Sequence, residues 1–213
     1  SEKARETLDN AGFNDAVICA SSDLDEYIIA SLKQQETKIN VWGVGTNLIT
    51  SKDCPAFGGV YKLSAKEKDG KLLPKIKISE NPNKIPNPGI KKVLRLYDKS
   101  TKKIKADLIA LEHEMINEGK DLTIFSPLAT WKTMTLKAGD FLVRELLTPV
   151  FIKGELVYRD IPVMEIRDYR EGEMDSLWPE YKRLVNPHIL PVDLSEELFR
   201  LKRNLINQTL HKF

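Results

Sequence analysis

The sequence predicts an α/β fold: βα units of a parallel sheet come first, β-hairpins next, and an α+β segment closing in helices last. Three observations predict it. Apolar runs at 16–20 and 39–42 each stop abruptly in small residues, Ser21, Ser22 and Asp23 after the first and Gly43, Val44, Gly45 and Thr46 after the second. Helical periodicity follows the first of these stops. From about residue 58 to 109 the apolar period becomes two, and toward the C-terminus leucines return to helical spacing.

The elements follow in order. Residues 1–13 read as a helix with Ala4, Leu8 and Ala11 on one face and Gly12 as its stop. A chain already helical at its first residue is expected to start mid-fold, so that strand 15–20 takes sheet partners from residues outside it. That strand feeds a helix over 23–34. Asp23 is its expected cap, Asp25 and Glu26 suit its positive end, and Leu24, Ile28, Ile29 and Leu32 form its buried stripe. Strand 39–42 delivers the glycine loop, and a helical turn over 47–50 follows.

Strands 60–65 and 73–78 flank a turn at Asp69 and Gly70, and strands 93–97 and 105–109 flank another at 98–101. Pro82, Pro86, Pro88 and Gly89 make the segment between the hairpins a loop. Short strands are expected at 122–125, at 132–137 and on both sides of Gly154 within 146–158. A long or broken helix runs from Pro162 to its end at Asn186 and Pro187. The final helix is capped by Asp193 or Ser195, carries Glu196 and Glu197 in its first turn, and repeats Leu198, Leu201 and Leu205 to about Leu210.

Composition excludes several classes of partner. Across 213 residues, 33 Lys and Arg stand against 31 Asp and Glu, and this balance, spread along the chain, carries no electrostatic footprint for nucleic acid. Cys19 and Cys54 lack metal-ligand spacing and read as reduced thiols of a cytoplasmic protein. No apolar run approaches the roughly 20 residues that span a bilayer, so no membrane partner is expected.

The candidate site lies where the two parallel strands end. Holding a phosphate needs converging N–H donors and close backbone approach, which glycine permits. The residues expected to supply this are Ser21, Ser22, Gly43, Gly45 and Thr46. Viewed alone, glycines at a strand end also fit a simple turn. Lys75, Lys77 and Arg95 are within reach of a pyrophosphate on paper, yet alternating lysines usually form a solvated face. Trp42 packs in the core or borders the site. His113, His188 and His211 are scattered, and Glu112, His113 and Glu114 point in different directions if helical, so neither set makes a metal site.

The residues also resemble a family. Ala20, Ser21, Ser22, Asp23, Leu24, Asp25, Glu26 and Tyr27, then Val41 to Thr46, then Phe57, Gly58, Gly59, Val60, Tyr61, Lys62 and Leu63 resemble the second half of bacterial nicotinate phosphoribosyltransferases. Lys77 to Lys84, Pro88 to Leu96, and Leu147, Thr148, Pro149, Val150 and Phe151 continue the likeness in order. The resemblance implies the last βα units of an irregular, type II phosphoribosyltransferase-like α/β barrel, with a β-hairpin extension, over 1–109. An α+β C-terminal domain then covers 110–213.

The implied reaction joins nicotinate to phosphoribosyl pyrophosphate, giving nicotinate mononucleotide and pyrophosphate, coupled to ATP hydrolysis with Mg2+. This chain would hold the 5-phosphate, while the catalytic residues belong to an N-terminal half of the enzyme, commonly a homodimer. The chain alone is then expected to be inactive. The alternatives are another phosphosugar-binding barrel, such as a nicotinamide or quinolinate phosphoribosyltransferase, or a non-catalytic scaffold that binds a partner.

Overall fold

A computed structural model of the chain describes residues 1–210. It divides into two compact units, Ser1–Val60 and the chain from Tyr61 onward. The strand running through residue 109 pairs on both sides with elements of the second unit.

The first unit holds α1 (Glu2–Asn10), β1 (Cys19–Ser21), α2 (Glu26–Gln34), β2 (Val41–Gly43) and α3 (Thr46–Ile49). The Arg5 guanidinium ties α1 to the following loop by donating to the carbonyls of Phe13 and Ala16. β1 and β2 pair in parallel, with Cys19 opposite Val41 and Ser21 opposite Gly43. Both strands are shorter than expected. Asn40 starts the pairing, since its Oδ1 accepts from the Ile18 N–H at 3.1 Å while its own N–H donates to the Ile18 carbonyl. Leu24 is the one buried apolar residue of this unit, and Phe13, Val17, Leu48 and Ile49 are exposed.

The second unit begins with a hairpin of β3 (Ala65–Lys68) and β4 (Lys71–Pro74). Its turn is the one expected, with Asp69 and Gly70 both at positive φ (52° and 72°), the geometry that matches strand twist. The strands are confined to the turn. Val60, Tyr61 and Leu63, expected in the first strand, are exposed and unpaired, and Lys75 and Lys77 lie beyond the second. One 3-10 turn, Pro82–Lys84, interrupts the proline loop. Buried Lys202 fixes this loop by donating from Nζ to Asn87 Oδ1 at 2.9 Å, and burial lowers its pKa.

The main sheet contains β5 (Lys91–Asp98), β6 (Ile104–Leu111), β7 (Leu122–Phe125), β8 (Thr133–Leu136) and β9 (Phe141–Glu145). A small hairpin follows, β10 (Phe151–Ile152) and β11 (Glu155–Leu156), turning at Gly154 as expected. Then come α4 (Val163–Ser176), β12 (Val192–Leu194) and α5 (Glu196–Leu210). β12 enters the main sheet, whose order is β8-β7-β12-β6-β5-β9; it runs parallel to β6 and antiparallel to β7. The edge strands β8 and β9 are joined by residues 137–140 alone.

That short link determines the shape of the sheet. In a flat six-stranded sheet the edges stand about 24 Å apart, whereas the link reaches only about 18 Å. The sheet is therefore curled. Its inner face gathers Leu94, Leu96, Ala106, Leu108, Ala110, Ile124, Leu136 and Phe141 into one buried cluster. On the other face, Leu198 and Phe199 of α5 pack with Leu111 and Leu194, and Phe199 stacks on Phe125 at 4.8 Å between ring centroids.

Helix ends settle one open expectation and correct another. Ser195, not Asp193, caps α5: its Oγ accepts from the Leu198 N–H at 3.2 Å and donates to Glu114 Oε1 at 2.6 Å. Asp193 sits inside β12 instead, where burial raises its pKa. Replacing Ser195, only 2% exposed, by alanine is expected to cost about 1–2 kcal/mol in urea denaturation. The helix from Pro162 stops at Ser176, well short of Asn186. Leu177 and Trp178 are extended ahead of Pro179, as a residue before proline prefers, and Trp178 Nε1 donates to the Ile104 carbonyl at 3.0 Å.

Candidate functional site

The site is built in the first unit, at the ends of β1 and β2. Parallel register places Ser21 directly opposite Gly43. The approach is close: a Cβ added to Gly43 would lie 3.2 Å from Ser21 Cβ and 3.6 Å from the Ala20 carbonyl oxygen. A side chain at 43 would thus crowd Ser21 by a few tenths of an ångström, whereas a Cβ at Gly45 meets nothing within 4 Å. Gly45 caps α3 and Thr46 begins it. Thus Ser21 and Gly43 are brought together, Ser22 follows on one strand, and Gly45 and Thr46 follow on the other. Among the described residues no acceptor is found for the backbone N–H groups of Val44, Gly45 and Thr46, the ordinary state of a helix start.

The turn after β1 departs from expectation. The helix begins at Glu26, and its cap is Asp25, whose Oδ1 accepts from the Ile28 N–H at 2.7 Å. Asp23 lies in the preceding turn instead, where Ser22 and Asp23 take positive φ values of 86° and 47°. The positive end of α2 is thereby met by a carboxylate of its own.

Asn47 was not among the expected site residues. From the first turn of α3 its Nδ2 donates to the carbonyls of Asp23 and Leu24, both at 3.1 Å, joining the two turns. The available signal was an amide side chain one position after Thr46, a residue type that bonds backbone groups in preference to propagating helix. Trp42 is half-buried, between the two expectations for it. A cleft of about 530 Å³ opens nearby, lined in part by Asp25, Glu26, Asn47, Lys52 and Asp53. Three carboxylates against one lysine give it the wrong sign for a phosphate.

The other candidates resolve plainly. Arg95 is no free phosphate ligand: its Nε and Nη2 donate to Asp107 at 2.8 and 2.9 Å, and Nη1 donates to Glu173 at 2.9 Å. Lys75 and Lys77 are exposed, alternating with half-buried Ile76 and Ile78. His113 Nε2 lies 2.9 Å from Glu197 Oε1 on the surface, His188 meets the Tyr181 ring edge-on, and His211 lies outside the described residues. Among the described residues no group of three or more His, Cys, Asp or Glu is placed to hold a metal ion. The Mg2+ that the resemblance implies therefore finds no protein ligand cluster among these residues. Among the same residues, no helix is long and apolar enough to cross a membrane.

These features define an α/β chain in which a short parallel strand pair ends in small-residue turns and a curled mixed sheet carries the larger core. The fold is similar to that of the crystal structure of human nicotinic acid phosphoribosyltransferase, with a TM-score of 0.68 and 24% identity over 96% of this chain and 36% of that one. Residues 90–202 match the nicotinate phosphoribosyltransferase C-terminal domain, and the chain belongs to that family. It is 45% identical to nicotinate phosphoribosyltransferase of Bacillus subtilis (strain 168) over 98% of its own length, which is 42% of that protein. To the human nicotinate phosphoribosyltransferase it is 31% identical, over 89% of this chain and 34% of that protein.

Proposed function

We propose that this chain is the portion of a nicotinate phosphoribosyltransferase that holds the 5-phosphate of phosphoribosyl pyrophosphate, through Ser21, Ser22, Gly43, Gly45 and Thr46. The observation that carries the reading is the direct pairing of Ser21 with Gly43 at the ends of two parallel strands. In this reading β1 and β2 are the last strands of an irregular α/β barrel completed by the N-terminal half of the same enzyme. The exposure of Val17 and Val41, on and beside strands of a parallel pair, supports that, because parallel sheets are normally covered on both faces.

The chemistry is a displacement at the anomeric carbon. The pyridine nitrogen forms a bond to C1 as the bond from C1 to pyrophosphate breaks, through a cation-like sugar. Fixing the phosphate end of the donor orients C1 for attack and restrains the leaving group. Each charge-assisted donor to the phosphate contributes about 1.5–3 kcal/mol. ATP coupling, Mg2+, a homodimer and a cytoplasmic location belong to the same proposal and rest on the family alone.

The test combines this chain with the N-terminal half of the enzyme. Supplied with nicotinate, phosphoribosyl pyrophosphate, ATP and Mg2+, the chain alone is expected to form no nicotinate mononucleotide, and the combined halves to form it. Turnover by the chain alone overturns the proposal. So does a preference of the combined halves for nicotinamide or quinolinate in a competition among the three pyridines.

A further inference from the structure

We infer that Asn47 is a positioning residue for the donor phosphate, acting by locking the turn after β1 to the turn after β2. The inference rests on the reading that these strand ends hold the phosphate, and it adds how their geometry is kept. The turn after β1 places two successive non-glycine residues, Ser22 and Asp23, at φ 86° and 47°. That conformation is uncommon for residues that carry side chains, and two in succession gain from a contact that holds the turn. A contact of that kind comes from α3, after the other strand. Asn47 Nδ2 donates to the carbonyls of Asp23 and Leu24, each at 3.1 Å, and so spends both amide hydrogens on this one turn.

Its attachment point makes the brace specific. Asn47 follows Thr46 in α3, whose cap is Gly45. One side chain thus connects the backbone that carries Gly45 and Thr46 to the backbone that carries Ser22. A shift of either turn is transmitted to the other, and the spacing between the two sets of donors is held at a fixed value. Only a two-proton donor fits this place. Aspartate, of the same shape, would set a negative oxygen against two carbonyl oxygens. Alanine would leave the turn without its partner.

The experiment uses the complete enzyme, in which this chain is joined to the N-terminal half, and compares Asn47→Asp, Asn47→Ala and Asn47→Ser with Gly45→Val. The serine variant keeps a single donor and is read in place of the others if they fail to fold. Gly45→Val introduces a side chain where the protein itself offers no obstruction, so it reports on the phosphate reading independently. The expected result is a rise of about tenfold in the KM for phosphoribosyl pyrophosphate in Asn47→Asp and Asn47→Ala, with a smaller rise in Asn47→Ser. The nicotinate KM should change less than about twofold, with the melting temperature held within a few degrees. An unchanged donor KM in the Asn47 variants, alongside a raised one in Gly45→Val, overturns the inference and leaves the phosphate reading standing. Unchanged donor KM in all four overturns both. Parallel rises in both substrate KM values with a lowered melting temperature make Asn47 merely structural and overturn the inference.

Discussion

Replacing Phe141 by alanine is expected to destabilise the second unit by about 3–5 kcal/mol, read as a shift of its urea midpoint with an unchanged slope. Phe141 opens β9, pairs with Asp98 of β5, and is fully buried. An aromatic ring on an edge strand is usually half exposed. This one is not, because the 137–140 link draws β9 toward β8 and turns its first side chain into the curled face with Leu136. Deleting the ring removes contacts from that closing point and leaves a cavity that the short link cannot relax to fill. Phe151→Ala, at a ring 64% exposed, is the control and should change stability by no more than about 0.5 kcal/mol. Equal effects from the two substitutions would mean that the curl is not what buries Phe141.

The parts of this fold legible in the sequence are those written in adjacent residues. The stops at Ser21 and at Gly43, the turn at Asp69 and Gly70, and the leucine spacing of α5 each depend on a few neighbouring side chains. β12 was illegible because Val192, Asp193 and Leu194 look locally like the approach to a helix cap. What makes them a strand is parallel pairing with β6, more than eighty residues earlier in the sequence. No element is expected between 137 and 146, and pairing with β5 is what makes Phe141–Glu145 a strand. Arg95 looked like a free cation for the same reason: its partner Glu173 lies 78 residues away. At the candidate site the neighbouring strand ends were legible and the Asn47 contact was not. The sequence contains Asn47, but not the left-handed turn whose carbonyls it meets.

Glu173→Gln is expected to cost about 2–3 kcal/mol at neutral pH and almost nothing in acid. Arg95 and Arg144 are directly opposite each other on β5 and β9, an arrangement of like charges that is unfavourable by itself. Asp107 engages one side of Arg95, and Glu173 of α4 accepts from both guanidiniums at 2.7–2.9 Å. Tyr97 completes the group, its ring 5.4 Å from the Arg144 guanidinium. Removing one carboxylate charge leaves two partly buried cations facing each other; full burial would cost more, and exposure of 22% at Glu173 and 39% at Arg144 reduces it.

The pH dependence has a definite sign. Hydrogen bonding from Arg144, reinforced by the charges of Arg144 and Arg95, outweighs desolvation and lowers the Glu173 pKa. Its contribution is therefore fully present above the ordinary glutamate value of about 4.3 and is lost as pH falls through the lower folded value. Denaturation of wild type and variant should accordingly differ by a constant amount near neutrality, and the two curves should converge in acid. The same titration tests what holds α4, since the helix buries none of its own residues and exposes Val163, Met164 and Ile166. With so little apolar packing, a difference that persisted undiminished in acid would remove the Glu173 charge as the helix's anchor. Convergence instead makes the Glu173 charge one anchor of α4, beside the Lys103 Nζ that donates to the carbonyls of Asp175 and Leu177 at the helix end.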